Sequence, residues 1–176
     1  MDHLTSEDLS VSHNNKAPMT SDVIKTEWVI ARDINAHGSL FGGTLLSWAD
    51  VTAALSATKF SQRPVVTASL DAMSFLKPIK LGWIVTLQGR VNESFNTSME
   101  VGVRITSLDP KTGHVYQNSR GYFTLVALDE HMKPIQVPDL APVSQDDYRR
   151  QKAAQMRREA RIKLRNAHIK QARGIH

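Results

Sequence analysis

Residues Gly43 to Phe60 (GTLLSWADVTAALSATKF) constrain the fold more than any other stretch. They read as a helix whose apolar residues, Leu45, Leu46, Trp48, Ala49, Val51, Ala53, Ala54, Leu55 and Ala57, occupy most of its circumference. A helix of that kind must be covered on most sides. The segments around it offer the cover. Thr26 to Arg32 reads as a first strand, and Val65 to Leu76 as a second, rich in β-branched and small residues. Trp83, Val85, Leu87 and Val91 alternate with Ile84, Thr86, Gln88 and Arg90. Met99, Val101, Val103 and Ile105 alternate with Ser98, Glu100, Gly102 and Arg104. Alternation of period two predicts strands with one buried face. Lys77-Pro78 with Gly82, and Asp109 to Gly113, supply turn residues between them, and His114 to Leu128 is the last long strand. The predicted class is α+β: one curved antiparallel sheet wrapped around one long central helix.

The charge is unevenly distributed. The whole chain carries +5, but residues 144–176 hold ten Lys/Arg against three Asp/Glu, a net of +7, leaving −2 for residues 1–143. The basic character therefore belongs to the C-terminal segment. Pro134, Pro138 and Pro142 punctuate a linker before it. Ser144 as N-cap, with Asp146 and Asp147 in the first turn, predicts a basic helix to about His168. Its apolar stripe is thin: Tyr148, Met156, Ala160, Leu164 and Ala167. Three units are expected: a loose arm over 1–22, one domain over 23–140, and a linker with the basic helix over 141–176.

Several function classes drop out. The chain has no cysteine, which removes disulfides, thiol nucleophiles and Cys-based zinc sites. Its seven histidines show no metal-ligand spacing, so no metal is expected. No run approaches the roughly 18–20 apolar residues that span a bilayer. Met1 to Lys16 is polar and lacks a signal-peptide apolar block. The expected location is the cytoplasm.

The segment Asn35-Ala-His-Gly38, then Gly42-Gly43 and Asp50, is the most unusual in the chain. Glycines at a helix start allow a ligand or another backbone to come close. The first helical N–H groups have no intrahelical partner and, with the helix dipole, can hold an oxyanion. Asp50 follows Gly43 by seven residues, close to two turns. A carboxylate on a largely apolar helix costs free energy unless it is paired or hydrogen-bonded. Two readings follow: a catalytic carboxylate facing a groove, or a structural one paired with Arg90 or His37.

The motif Asn35-x-x-Gly38-x-x-x-Gly42-Gly43, then Asp50, then Val65 to Pro78 (VVTASLDAMSFLKP), resembles the acyl-CoA hydrolases of the hot-dog superfamily. Within it, the pattern looks like the bacterial YciA-type and cytosolic acyl-CoA thioesterase branch, over about residues 24–130. The resemblance implies a hot-dog fold and hydrolysis of acyl-CoA to a free carboxylic acid and CoA. It makes Asp50 the general base or nucleophile, Asn35 the group that positions water or the carbonyl, and the Gly43 N–H the oxyanion donor. It implies a site formed between two subunits, Asn35 from one and Asp50 from the other, in a homodimer assembled as a trimer of dimers. No cofactor is implied, since coenzyme A is part of the substrate. Gly42, Thr67 and Ser69 are expected to line the site, with Asp71 bonding the adjoining loop. Arg90, Arg120, Lys77 and Lys80 are candidates for the CoA phosphates, because guanidinium forks match phosphate oxygens. Ser94 to Ser98 (SFNTS) departs from the family's Gly-Arg-Thr-Ser, so no basic contact is carried over there. His37 falls at a variable position and reads as a loop residue. Trp48, Met73, Phe75 and Trp83 are candidates for shaping an acyl tunnel. The alternative function is a non-catalytic acyl-CoA sensor whose basic tail contacts nucleic acid.

Overall fold

The computed structural model describes residues 21–71 and 73–172. Strand β1 (Val23–Trp28) is followed by a 3-10 turn (Ala31–Asp33) and helix α1 (Gly42–Ser61). Then come β2 (Val65–Leu70), β3 (Ile84–Ser94), β4 (Ser98–Leu108), β5 (Val115–Ala127) and helix α2 (Gln145–Ala172). The five strands form one antiparallel sheet in the order β1-β3-β4-β5-β2. The sheet curls round α1, so the predicted wrapped-helix α+β architecture is the observed one.

Alternation places the core. Val85, Leu87 and Val91 of β3, Met99, Val101, Val103 and Ile105 of β4, and Phe123 and Leu125 of β5 turn to one face. Leu45, Ala49, Ala53, Ala57 and Phe60 of α1 pack on them. Each large side chain fully buried there contributes about 1.5–3 kcal/mol. Three of the helix's five contact residues are alanines, which lets the helix axis approach the sheet. Gly89 of β3 completes that approach: a Cβ there would lie 3.0 Å from the Thr52 carbonyl oxygen.

Four details differ from the sequence expectation. β1 begins three residues earlier and ends at Trp28, because pairing with β3 sets Val23 opposite Gly89 and Trp28 opposite Ile84. Past Val29 the chain turns, with the Ile30 N–H donating to Asp33 Oδ2 at 3.0 Å. β2 stops at Leu70, where its ladder with β5 ends; beyond it single bonds remain, such as Leu76 N–H to the Asn118 carbonyl at 2.9 Å. Helix α1 is not covered all round: Val51 and Leu55 remain 45% and 49% exposed, because one sheet covers only one side of a helix.

The fourth difference is α2. Its start follows the predicted cap: the Asp147 N–H donates to Ser144 Oγ at 3.1 Å, and the Ser144 N–H donates to Asp147 Oδ2 at 3.0 Å. Its thin apolar stripe stays in the open, with Tyr148, Met156 and Leu164 exposed; the difference lies on the outer face of β4, which alternation left uncovered. The helix instead turns Ala154, Arg157 and Arg161 toward the outer face of the sheet. Glu100 of β4 is completely buried there and accepts from Arg157 at 2.6 Å and from Arg161 at 3.2 Å. Arg161 also reaches Asp71 at 2.8 Å, and Gln155 reaches Glu93 at 2.8 Å. The expected N-terminal arm lies outside the described residues except for Ser21 and Asp22. Ser21 is buried, and its hydroxyl accepts the Val91 N–H at 3.0 Å.

Candidate active site

Helix α1 begins with nothing to cap it. Phe41 is the N-cap residue, no side chain bonds the first turn, and no acid lies in it. The first intrahelical bond runs from the Leu45 N–H to the Phe41 carbonyl at 3.1 Å. The amides of Gly42, Gly43 and Thr44 thus have no partner among the described residues, as the geometry of a helix start allows. Gly43 is exposed, and a Cβ there would sit 2.5 Å from Phe41 Cε1. Glycine is what allows the aromatic ring to fold back over the first turn. Gly42 faces Phe75, where a Cβ would make ordinary contact at 3.6 Å.

Asp50 lies two turns on, half-buried on the side of α1 left open by the sheet. Its partner is Thr67 of β2, whose hydroxyl donates to Asp50 Oδ1 at 2.7 Å. This is a charge-assisted hydrogen bond that fixes one carboxylate oxygen and leaves Oδ2 without a protein donor among the described residues. The structural alternative for Asp50, a pair with Arg90 or His37, is not formed. Arg90 bonds Asp147 at 2.7 Å and Asp22 at 3.3 Å on the outer face of the sheet. His37 is exposed, and its backbone N–H donates to Asn35 Oδ1 at 2.9 Å.

Asn35 is held by its own loop. Its Oδ1 accepts from the N–H groups of His37 and Ser39 and from the Ser39 hydroxyl. The side-chain amide Nδ2 therefore points its donors away from the loop. No hydrogen bond joins Asn35 to Asp50 among the described residues. Ser69 follows Thr67 by two, but a bulge between them breaks the strict alternation that equal spacing assumes. Ser69 makes no side-chain hydrogen bond to described residues, and Asp71 pairs with Arg161 of α2.

The candidate phosphate ligands are scattered. Lys77 Nζ rests 4.8 Å from the centroid of the Tyr116 ring. Lys80 is exposed on the loop before β3. Arg120 of β5 opens into a groove against α2, across the sheet from α1, and Arg90 lines the same groove. Sequence reasoning did not reach the Thr67 to Asp50 bond, the Asp71–Arg161 pair or the buried Glu100. A signal for the last existed: two arginines one turn apart, Arg157 and Arg161, with no acid of the helix one turn from either. Two grooves of about 300 and 180 Å³ lie against α2 and its linker, and Asp50 borders neither. Among the described residues no cluster of three or more His, Asp or Glu could hold a metal ion. No described helix is long and apolar enough to cross a membrane.

A curled antiparallel sheet wrapped around one long helix is the hot-dog fold. Residues 37–114 match the family model described as the thioesterase superfamily. A Bacillus subtilis (strain 168) protein described as an uncharacterized acyl-CoA thioester hydrolase, YkhA, is 39% identical over 127 residues, covering 72% of this chain and 74% of its own. The acyl-CoA hydrolase from Staphylococcus aureus, solved with butyryl coenzyme A, coenzyme A and coenzyme A disulfide, superposes with a TM-score of 0.79. It is 37% identical, over 89% of this chain and 95% of that one. An apo-hexameric acyl-CoA thioesterase superposes at 0.80, 37% identical, over 84% and 96%. The chain belongs to the thioesterase superfamily, among its acyl-CoA thioester hydrolases. The Staphylococcus enzyme was also solved with one asparagine, one aspartate or one threonine replaced by alanine.

Proposed function

We propose that the protein hydrolyses acyl-CoA thioesters to a carboxylic acid and free CoA, with Asp50 as the reacting carboxylate. The observation that carries this reading is the Thr67 hydroxyl fixing Asp50 Oδ1 at 2.7 Å, on a helix with no other carboxylate and two turns from three uncapped amides. As general base, Asp50 takes a proton from water while the oxygen adds to the thioester carbon. The tetrahedral oxyanion then collapses, the C–S bond breaks, and the proton passes to the CoA sulfur. As nucleophile, Asp50 attacks that carbon itself, expels CoA, and is freed when water opens the resulting anhydride. In either course the Gly43 N–H stabilises the oxyanion and Gly42 leaves room for the acyl group. Asn35 Nδ2 positions the water or the carbonyl.

The three substituted positions of the Staphylococcus enzyme are separated by 15 and 17 residues. Asn35, Asp50 and Thr67 have the same separations, which supports assigning them to one site. Thr67 lines it from β2, whereas Ser69 lies past the bulge, opposite Thr124. Lys77 and Arg120 are the cations available to the CoA phosphates, while Arg90 comes to that task already paired with two carboxylates.

The site is completed by a second copy of the chain. Support comes from the open side of α1, where Val51 and Leu55 are exposed, and from β2, an edge strand whose Val66 is 42% exposed. An edge strand with apolar neighbours invites pairing with another chain. The hexameric relative makes a trimer of dimers a fitting assembly for this one. A cytoplasmic location agrees with the absence of cysteine. The alternative, a sensor touching nucleic acid through α2, finds little support. Arg157 and Arg161 of that helix are turned to Glu100 and Asp71.

The test is release of free thiol from short acyl-CoAs. The wild type is expected to turn over, and Asp50→Ala to lose release with its oligomer unchanged. Wild-type turnover in Asp50→Ala sinks the assignment.

A further inference from the structure

The outer face of the sheet carries a second concave feature, and Asp50 does not border it. Between α2 and strands β3 to β5 runs a groove of about 300 Å³. Six arginines line it, Arg90, Arg104, Arg120, Arg149, Arg150 and Arg157, with Asp22 as the one carboxylate in its wall. Four of the six are matched by acids. Arg90 pairs with Asp22 and Asp147, Arg149 and Arg150 share Asp146, and Arg157 pairs with Glu100. Arg104 and Arg120 have no ion-pair or hydrogen-bond partner among the described residues.

These two arginines are also direct cross-strand partners, Arg104 of β4 opposite Arg120 of β5. Like charges facing each other across a ladder destabilise it. Here the pair sits in a concave site whose nearby acids are already engaged. Tyr122, two residues from Arg120 on the same face, lines the groove with its ring held under Arg157 at 3.6 Å. Guanidinium groups bind phosphate oxygens in bidentate fashion, and two converging forks suit an anion with more than one charge.

We infer that this groove binds a multiply charged phosphate group, a di- or triphosphate, with Arg104 and Arg120 as its principal contacts. The chemistry admits two sources. One is a separate phosphate ligand. The other is the nucleotide end of acyl-CoA, and that source alone rests on the proposed hydrolysis.

The probe is sodium tripolyphosphate, titrated calorimetrically into the full chain at low and moderate salt. Saturable binding that weakens steeply with salt is expected, and it falls about tenfold or more in Arg104→Gln/Arg120→Gln. Both side chains are exposed and unpaired, so the variant should keep the wild-type circular dichroism; the two single variants serve if it does not fold. Kinetics of Arg104→Gln separate the sources. A raised KM for a short acyl-CoA but not for the matching acyl-pantetheine assigns the groove to the substrate's phosphates. An unchanged KM together with lost tripolyphosphate binding assigns it to a separate ligand. The inference is overturned if the wild type does not bind tripolyphosphate, or if the double variant binds it equally well. It is also overturned if the substitutions change only the oligomer size, since the groove then receives acids of another copy. The binding arm stands even if no acyl-CoA is hydrolysed, so the two readings fail separately.

Discussion

Replacing Thr67 by valine removes one hydroxyl and keeps the shape of the side chain. The lost contact is the 2.7 Å bond to Asp50 Oδ1. Hydrogen bonds to charged groups contribute about 1.5–3 kcal/mol. Thr67 is exposed in the single chain and Asp50 half-buried, so water can replace part of the bond and the lower end applies. About 1.5 kcal/mol corresponds to roughly a tenfold change in rate. Thr67→Val is therefore expected to lower kcat about tenfold with little change in KM, because the hydroxyl orients the carboxylate without holding the substrate. Thr67→Ser keeps the donor and should recover most of the rate. The assay is continuous thiol release from a short acyl-CoA, with oligomer size checked by gel filtration. Two results refute the reasoning: valine within twofold of the wild type, or serine and valine equally impaired. The second would mean that the methyl group, and not the hydroxyl, matters.

Two further predictions concern α2. Arg157→Met leaves the buried Glu100 with Arg161 as its remaining charged partner. Breaking a buried pair costs about 3–5 kcal/mol, and the surviving arginine reduces this to roughly 2–3 kcal/mol. Glu100→Leu combined with Arg157→Met should lie much closer to the wild type than the sum of the singles. Urea unfolding at one fixed protomer concentration measures this, and additive singles would contradict it. The start of α2 should also be acid-sensitive. The Ser144 hydroxyl, with backbone N–H groups, holds the Asp147 carboxyl below its ordinary 3.8, and Arg150 and Arg149 hold Asp146 at about 2. Both folded-state values are depressed, so the stabilisation is present above about pH 4 and fades as the pH falls toward 2. The amide resonances of Ser144 and Asp147 should shift over that window; resonances flat to pH 2 would refute it.

How much of this was legible in the sequence depends on the kind of residue. The alternation of β3 and β4 is readable because Val85, Leu87, Val101 and Val103 face the helix while Thr86, Gln88, Gly102 and Arg104 face away. The same alternation misleads about the outer face. Glu100 reads as a solvent-facing residue, yet it is fully buried, because α2 lies over it. Nothing local records that cover, since the helix docks through arginines and leaves Tyr148, Met156 and Leu164 in the open. The candidate site was legible in part. Asn35, Gly42, Gly43 and Asp50 stand out by residue type and spacing, and the structure adds the open helix start and the Asn35 loop that orients Nδ2 outward. That Thr67 would bond Asp50 depends on where the edge strand β2 passes the helix, a tertiary fact that spacing does not encode. The early end of β2 and the shifted β1 have the same origin, since pairing partners set strand limits more strictly than propensity does.

The central claim is a hydrolytic site shared between two copies, with Asp50 from one and Asn35 from the other. Mixing Asn35→Ala with Asp50→Ala protein, after dissociation and reassembly, tests it most directly. Each variant alone should release almost no thiol from acyl-CoA. Mixed dimers hold one intact Asn35–Asp50 pair, so random mixing should restore about a quarter of the wild-type rate, half the dimers being mixed and each having one site of two. No recovery in reassembled mixtures, with mixed oligomers verified by mass, would place both residues in one subunit's site and contradict the account.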